Sequence, residues 1–145
     1  MKSISQILDI AKSVVRLESE IVEELIGKLN DDFAKAVELI LSSNGRVIVA
    51  GIGKSANIAS KIVATFNSTG QPAVFLHAAD AIHGDLGNIQ KNDVVICISK
   101  SGNTSEIKYL LPLIKNMGNK IIAICGNKNS YLENQADFVL DASVK

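Results

Sequence analysis

RVIVAGIGKSANIASKIVATFNSTG, residues 46–70, holds the transition on which the fold turns. Its first five residues are a short run rich in β-branched side chains. Two glycines, a lysine and a serine follow, and from Ser55 to Thr69 the pattern is helical. Apolarity without alternation suits a strand covered on both faces. A strand that passes through a tight glycine turn into a helix is the unit from which parallel α/β sheets are built. The same rhythm recurs downstream, with strand-like runs at 73–76 (AVFL), 93–98 (DVVICI), 120–125 (KIIAIC) and 138–140 (FVL). Helical stretches lie between them at 80–86, 104–117 and 130–136. The expectation is a three-layer α/β/α sandwich on a parallel sheet of about five strands, joined by right-handed crossovers. Pro72 falls just before a strand, and Pro112 falls inside a helix, where it predicts a kink.

Upstream of this core two helices are expected. Ile7, Leu8, Ala11, Val14, Val15, Ile21, Val22, Leu25, Ile26 and Leu29 recur at helical spacing and predict one long amphipathic helix over 4–29. Asp31 is a candidate cap for a second helix whose apolar face is Phe33, Ala36, Val37, Ile40 and Leu41, stopped by Asn44-Gly45. The reading is a single domain, 1–145, with helices over 1–43 and a sheet core over 46–141. At 145 residues such a body buries roughly two thirds of the surface of its unfolded chain.

Charge narrows the partners. Fifteen Lys plus Arg balance fifteen Asp plus Glu, so no global field draws in nucleic acid or an anionic membrane. Any anion must be bound locally. Lys2, Asp9, Lys12, Arg16 and Glu18 interrupt anything like a signal sequence. No apolar run approaches the roughly 20 residues that span a bilayer, and the cytoplasm is the expected location. Cys97 and Cys125 have no CxxC spacing, which argues against a disulfide framework or a zinc site and for buried, inert thiols.

In open α/β sheets ligands bind beyond the carboxyl ends of the strands. The first such turn is Gly51-Ile52-Gly53-Lys54-Ser55. Glycines admit a close ligand, helix N–H groups favour an anion, and Lys54 adds a full charge. A nucleotide-triphosphate loop would need a further glycine where Ile48 stands. The dinucleotide fingerprint is met by Gly51, Gly53 and Ala56, but the acid it wants at the end of the second strand is His77. A plain strand-to-helix turn with Lys54 in solvent is the third reading.

The second turn is Ser99-Lys100-Ser101-Gly102-Asn103-Thr104-Ser105-Glu106. Hydroxyls at Ser99, Ser101 and Thr104, with N–H groups around Gly102, suit a single phosphate at a helix N-terminus. Each hydrogen bond to such a charge is worth about 1.5–3 kcal/mol. Helix capping alone also selects Ser or Thr before a helix with Glu in its first turn. Capping accounts for one or two hydroxyls, not for three.

SKSGNTSEI at 99–107 resembles the S-x-S-G-x-[ST] phosphate motif of the sugar isomerase (SIS) domain family. GIGKS at 51–55, ATFNSTG at 64–70 and FLHAADAIHGDLG at 75–87 extend the likeness, and the His-Gly-Asp-Leu-Gly string is similar to that of its arabinose 5-phosphate isomerases. The resemblance implies a flavodoxin-like SIS fold and an aldose–ketose isomerase. That enzyme interconverts arabinose 5-phosphate and ribulose 5-phosphate through an enediolate and feeds Kdo and lipopolysaccharide synthesis. It implies phosphate binding by Ser99, Ser101, Gly102 and Thr104 with Gly53 and Ser55 of the first turn, and catalysis by Lys54, His83 and Glu106. It implies no cofactor and no metal, and a homodimer or homotetramer with sites at subunit contacts. Family members continue into a helical segment that supplies a further Glu and His, and often into regulatory nucleotide-binding modules. Since the sequence stops at Lys145, a truncated piece lacking part of the catalytic set is expected.

Within that mechanism Glu106 is the expected proton-transfer group, Lys54 the stabiliser of charge developing on the sugar oxygens, and His83 the ring opener or proton shuttle. The plainer readings are a hydrogen-bonded histidine in a tight turn for His83 and a first-turn acid favoured by the helix dipole for Glu106. A non-catalytic sugar-phosphate sensor and a dinucleotide-binding domain remain as alternative functions.

Overall fold

The computed structural model describes residues 2–144, so Met1 and Lys145, the outermost residues of the expected domain, lie outside it. Five strands, β1 (Val47–Gly51), β2 (Ala73–His77), β3 (Val94–Ser99), β4 (Lys120–Cys125) and β5 (Phe138–Asp141), make one sheet in the order β2-β1-β3-β4-β5. Every neighbouring pair is parallel. All residues of β1 and β3 are buried, as their unbroken apolar sequences require of central strands covered on both faces.

Among the described residues there are six α-helices, α1 (Ile4–Glu24), α2 (Asp31–Ser42), α3 (Lys54–Ser68), α4 (Ala78–Ile82), α5 (Ser105–Asn116) and α6 (Tyr131–Gln135), of which α2 to α6 cover the sheet. One layer packs Ile107, Leu110, Leu111 and Ile114 of α5, Ala78 and Ala81 of α4 and Leu132 of α6 against Ile48, Val95, Cys97 and Ile121. The opposite layer packs Ala36 of α2 and Ala59 of α3 against Val47, Val49, Ile96 and Ile122. Alternate residues of each strand feed the two layers, which is the sandwich expected from the sequence.

Several local expectations change. The long first helix ends at Glu24 and tightens into a 3-10 turn, Leu25–Lys28, after which Leu29 is extended. Gly27 within that turn weakens continued α-helix by roughly 1 kcal/mol relative to alanine. The cap of α2 is Asn30, not Asp31: the Asn30 side-chain oxygen accepts from the amides of Asp32 and Phe33. Asp31 and Asp32 instead supply first-turn charge, and the Asp32 carboxylate reaches across to accept from the Val139 amide at 3.0 Å. The helix expected over 80–86 divides into α4 and a 3-10 turn, Asp85–Asn88, because Gly84 between them takes φ of 137°. Pro112 leaves α5 unbroken on its exposed side.

At the amino edge of the sheet, Arg46 and Asp93 tie β1 to β3. The Asp93 carboxylate accepts from the Arg46 guanidinium at 2.8 Å, from the Arg46 amide at 2.8 Å and from the Gln90 amide at 2.9 Å. Burial alone would push the Asp93 carboxyl up; the Arg46 and Gln90 hydrogen bonds outweigh it and hold the group below the usual carboxylate range. Asn119 donates to the carbonyls of Gln90 and Asp93 and closes the cluster. Cys97 and Cys125 are buried and free, and burial pushes the Cys97 thiol up to about 12.

Candidate functional site

Strand order decides where a ligand fits. From β1 the chain crosses to β2 on one side and later returns to β3 on the other, so the loops after β1 and β3 diverge and leave a crevice at the carboxyl edge. A cleft of about 320 Å³ occupies that position, lined by Ile52 and Ser55 from the first turn and by Ile98, Ser99, Lys100, Ser101, Thr104 and Asn127. The two turns singled out in the sequence, some 45 residues apart in the chain, thus form opposite walls of one space.

The walls are two helix N-termini that no side chain caps. Gly53 precedes α3 with φ of 57°, and Thr104 precedes α5; neither places a side-chain oxygen on its helix. Ser3, Asn30 and Ser130 do cap α1, α2 and α6. The opening amides of a helix have no intrahelical partner, and uncapped they offer N–H groups and a positive dipole end to an anion. Capping therefore does not explain the hydroxyls before α5.

The Thr104 hydroxyl lies 2.9 Å from that of Ser99, and the Ser99 hydroxyl also accepts from the Gly102 amide at 3.1 Å. Ser99 is buried, whereas Ser101 is exposed and accepts from the Asn103 amide at 3.2 Å. Gly102 has φ of 63°, and a Cβ there would sit 2.1 Å from the Ser130 hydroxyl. Its carbonyl accepts from the Leu132 amide at 2.9 Å. Glycine lets the loop close on α6, so the geometry at Ser99 and Thr104 depends on a contact from β4's side of the sheet.

Outside the cleft lining stand Lys54, His83 and Glu106. Lys54 is exposed as the first residue of α3. His83 is exposed at the end of α4, its amide donating to the Asp80 carbonyl at 3.0 Å. Glu106, in the first turn of α5, accepts from the Ser105 hydroxyl at 2.9 Å. Its own backbone N–H, then the Ser105 hydroxyl, hold its carboxyl below the ordinary range, and the charge of a protonated His77 acts in the same direction.

His77 was missed in the sequence as anything more than the absent acid of a dinucleotide site. It ends β2 in register with Gly51, packs edge-on to Phe75, and holds Nδ1 enclosed without a hydrogen bond, 3.7 Å from the Asp80 carboxylate. Asn127 was missed too. Its signal was its place just after the fourth strand, on the edge where ligands bind.

A larger groove of about 550 Å³ lies elsewhere, between α2 and α3 over Ile96, Ile122, Ile124 and Leu140. Apart from Thr69 and Gln71 its side chains are apolar, so it offers nothing to match the charge of a phosphate. The 320 Å³ cleft is smaller but carries the polar groups.

The family model described as SIS domain matches residues 40–145. The Pseudomonas aeruginosa arabinose 5-phosphate isomerase KdsD is 49% identical over 145 residues, covering 98% of this chain and 44% of that protein. The Escherichia coli K12 arabinose 5-phosphate isomerase GutQ is 41% identical over 139 residues, covering 96% of this chain and 43% of that one. The chain thus spans less than half the length of these curated relatives. A solved structure, Escherichia coli CFT073 c3406 in complex with arabinose 5-phosphate, superposes with a TM-score of 0.93 at 40% identity, covering 99% of this chain and 77% of that one.

Proposed function

The chain belongs to the SIS domain family, and from that premise we propose that it is the sugar-phosphate-binding domain of an arabinose 5-phosphate isomerase. The observation that carries the proposal is the pair of uncapped helix N-termini facing one cleft, with Ser55 on one wall and Ser99, Ser101 and Thr104 on the other. Two helix N-termini on one cleft and a set of hydroxyls fit a phosphate monoester better than a neutral sugar. The identities to KdsD and GutQ and the likeness to a chain solved with arabinose 5-phosphate support the choice of sugar.

The isomerisation removes a proton beside a carbonyl and returns one to the adjacent carbon, passing through an enediolate. Glu106, one turn beyond the phosphate loop and ionised by its hydrogen bonds, is the proposed proton carrier. Lys54 and His83 flank the same carboxyl edge, as stabiliser of the enediolate oxygen and as ring opener. No redox cofactor enters this chemistry, since the electrons stay within the sugar. The proposal includes a single domain, a cytoplasmic setting and a homodimer or homotetramer with sites at subunit contacts. Among the described residues no helix is long and apolar enough to cross a membrane.

Isothermal titration with arabinose 5-phosphate tests the binding, with saturable heat expected; no heat at millimolar sugar phosphate overturns it. One observation favours a second reading, a non-catalytic sensor: Lys54, His83 and Glu106 lie outside the cleft lining. Heat without isomerisation by the full-length protein would favour that reading.

A further inference from the structure

A phosphate monoester carries a charge of about −1.5 to −2 at pH 7. The cleft meets it with the N-termini of α3 and α5, each equivalent to roughly half a positive charge. Together they leave about one negative charge of the ligand unmatched. The hydroxyls of Ser55, Ser99, Ser101 and Thr104 donate hydrogen bonds there but bring no charge. A full cation on the cleft would close the balance, and of the residues that line it Lys100 alone is charged. Lys54 stands outside that lining.

The fold fixes Lys100 in this place. It follows Ser99 at the end of β3, and its carbonyl accepts from the Gly126 amide at 3.0 Å, which carries the pairing of β3 and β4 one step beyond the strand ends. A Cβ at Gly126 would stand 3.5 Å from the Lys100 Cγ. The lysine stem therefore lies beside a residue with no side chain of its own, one position before Asn127 in the same lining. Its ammonium holds nothing together. Three ion pairs form among the described residues, Arg46 with Asp93, His77 with Asp80 and Lys120 with Asp137, and none takes Lys100. Asp141, at the end of the neighbouring β5, is occupied instead by the Ser143 amide at 2.8 Å. An unpaired lysine is ordinary on an open surface. On the wall of a cleft that already presents two helix N-termini it adds the charge they lack.

We infer that the Lys100 ammonium is the counter-charge of the substrate's phosphate, a binding residue that selects a dianionic ester over a neutral or singly charged sugar. A lysine is a compact charge on a flexible stem, so it can follow the phosphate without a fixed hydrogen-bond geometry. The inference rests on the phosphate reading of the cleft under the proposed function and assigns the charge selectivity of that site.

Isothermal titration with arabinose 5-phosphate, and with inorganic phosphate as a competitor, tests it in Lys100→Gln and Lys100→Arg. K100Q is expected to weaken both ligands by the same factor, about tenfold at low ionic strength, and to make the affinity less sensitive to salt. K100R keeps the charge and is expected to bind as the unaltered chain does. Both variants should melt with the unaltered chain, since the side chain is exposed and unpaired. Full affinity in K100Q overturns the inference and leaves the phosphate reading standing. So does a loss confined to arabinose 5-phosphate with inorganic phosphate untouched, which would move Lys100 to the sugar. An equal loss in K100R and K100Q overturns it as well, because shape rather than charge would then be read. Absence of heat with the unaltered chain removes the phosphate reading and the inference together.

Discussion

The hydroxyl of Thr104, placed where a helix cap would be, lies 2.9 Å from the hydroxyl of Ser99 at the end of β3 and leaves the amides of its own helix uncapped. A cap is typically worth about 1 kcal/mol. Giving it up in favour of a neighbouring hydroxyl makes sense where the amides serve a ligand, and this pair is the most direct point at which to test the site.

Thr104→Ala and Ser101→Ala are each expected to weaken arabinose 5-phosphate binding by about 10- to 100-fold, the loss of one charge-assisted hydrogen bond. Isothermal titration reads the affinity. Ser101 is exposed, so its removal should leave the melting temperature within a degree or two. A large stability loss with unchanged affinity would assign these hydroxyls to the fold.

Gly102→Ala should destabilise the domain by roughly 2–4 kcal/mol, combining a left-handed backbone with overpacking. The new Cβ would meet the Ser130 hydroxyl at 2.1 Å. Ser130→Gly removes that obstacle at a cost of a few tenths of a kcal/mol, because glycine is itself a tolerable cap. In chemical denaturation, G102A/S130G is therefore expected to be more stable than G102A. Additive losses would show that the clash is not the cause.

Asp93 sets an acid limit to stability. Its carboxyl is held below the ordinary range by the Arg46 and Gln90 hydrogen bonds despite burial. A lowered folded value means that the stabilisation is complete above the unfolded value of about 3.9 and is lost as pH falls through the lower one. Urea midpoints should drop below about pH 4, and Asp93→Asn should flatten that slope. Asp93→Ala leaves the Arg46 and Gln90 amides without their acceptor and should cost about 2–3 kcal/mol at pH 7. Sugar-phosphate affinity should not change, because Asp93 stands at the opposite edge of the sheet.

On the proposed function, Glu106→Gln in the full-length protein should lower kcat by about 10²- to 10⁴-fold with little change in KM, the signature of a lost proton carrier. Its lowered carboxyl keeps the base form down to acid pH. The acid limb attributable to Glu106 is thus expected beneath the ordinary glutamate value of about 4.3. Unchanged turnover in E106Q would remove it from the mechanism.

Much of this molecule is legible in its sequence because its signals are local. Unbroken β-branched runs suit strands covered on both faces, and the glycines at 51, 53 and 102 mark tight turns before or within loops. From these the parallel sheet, its five strands and the two turns that line the cleft follow. What fails in the sequence are choices between neighbours of similar chemistry. Asn30 outcompetes Asp31 as a cap, and Gly84 divides a short helix, by differences of about a kilocalorie or less.

The tertiary structure alone decided which turns share a space. Ser55 and Thr104 line one cleft because β1 and β3 are adjacent while β2 lies outside them, and strand order arises from crossovers that no local pattern records. It also gave Gly102 its packing reason, since Ser130 arrives from a different loop, and it left α1 with its apolar stripe in solvent. Amphipathic periodicity shows that a helix has a face to bury. Whether that face meets its own chain or another depends on the area the rest of the chain leaves uncovered, which only the assembled packing fixes.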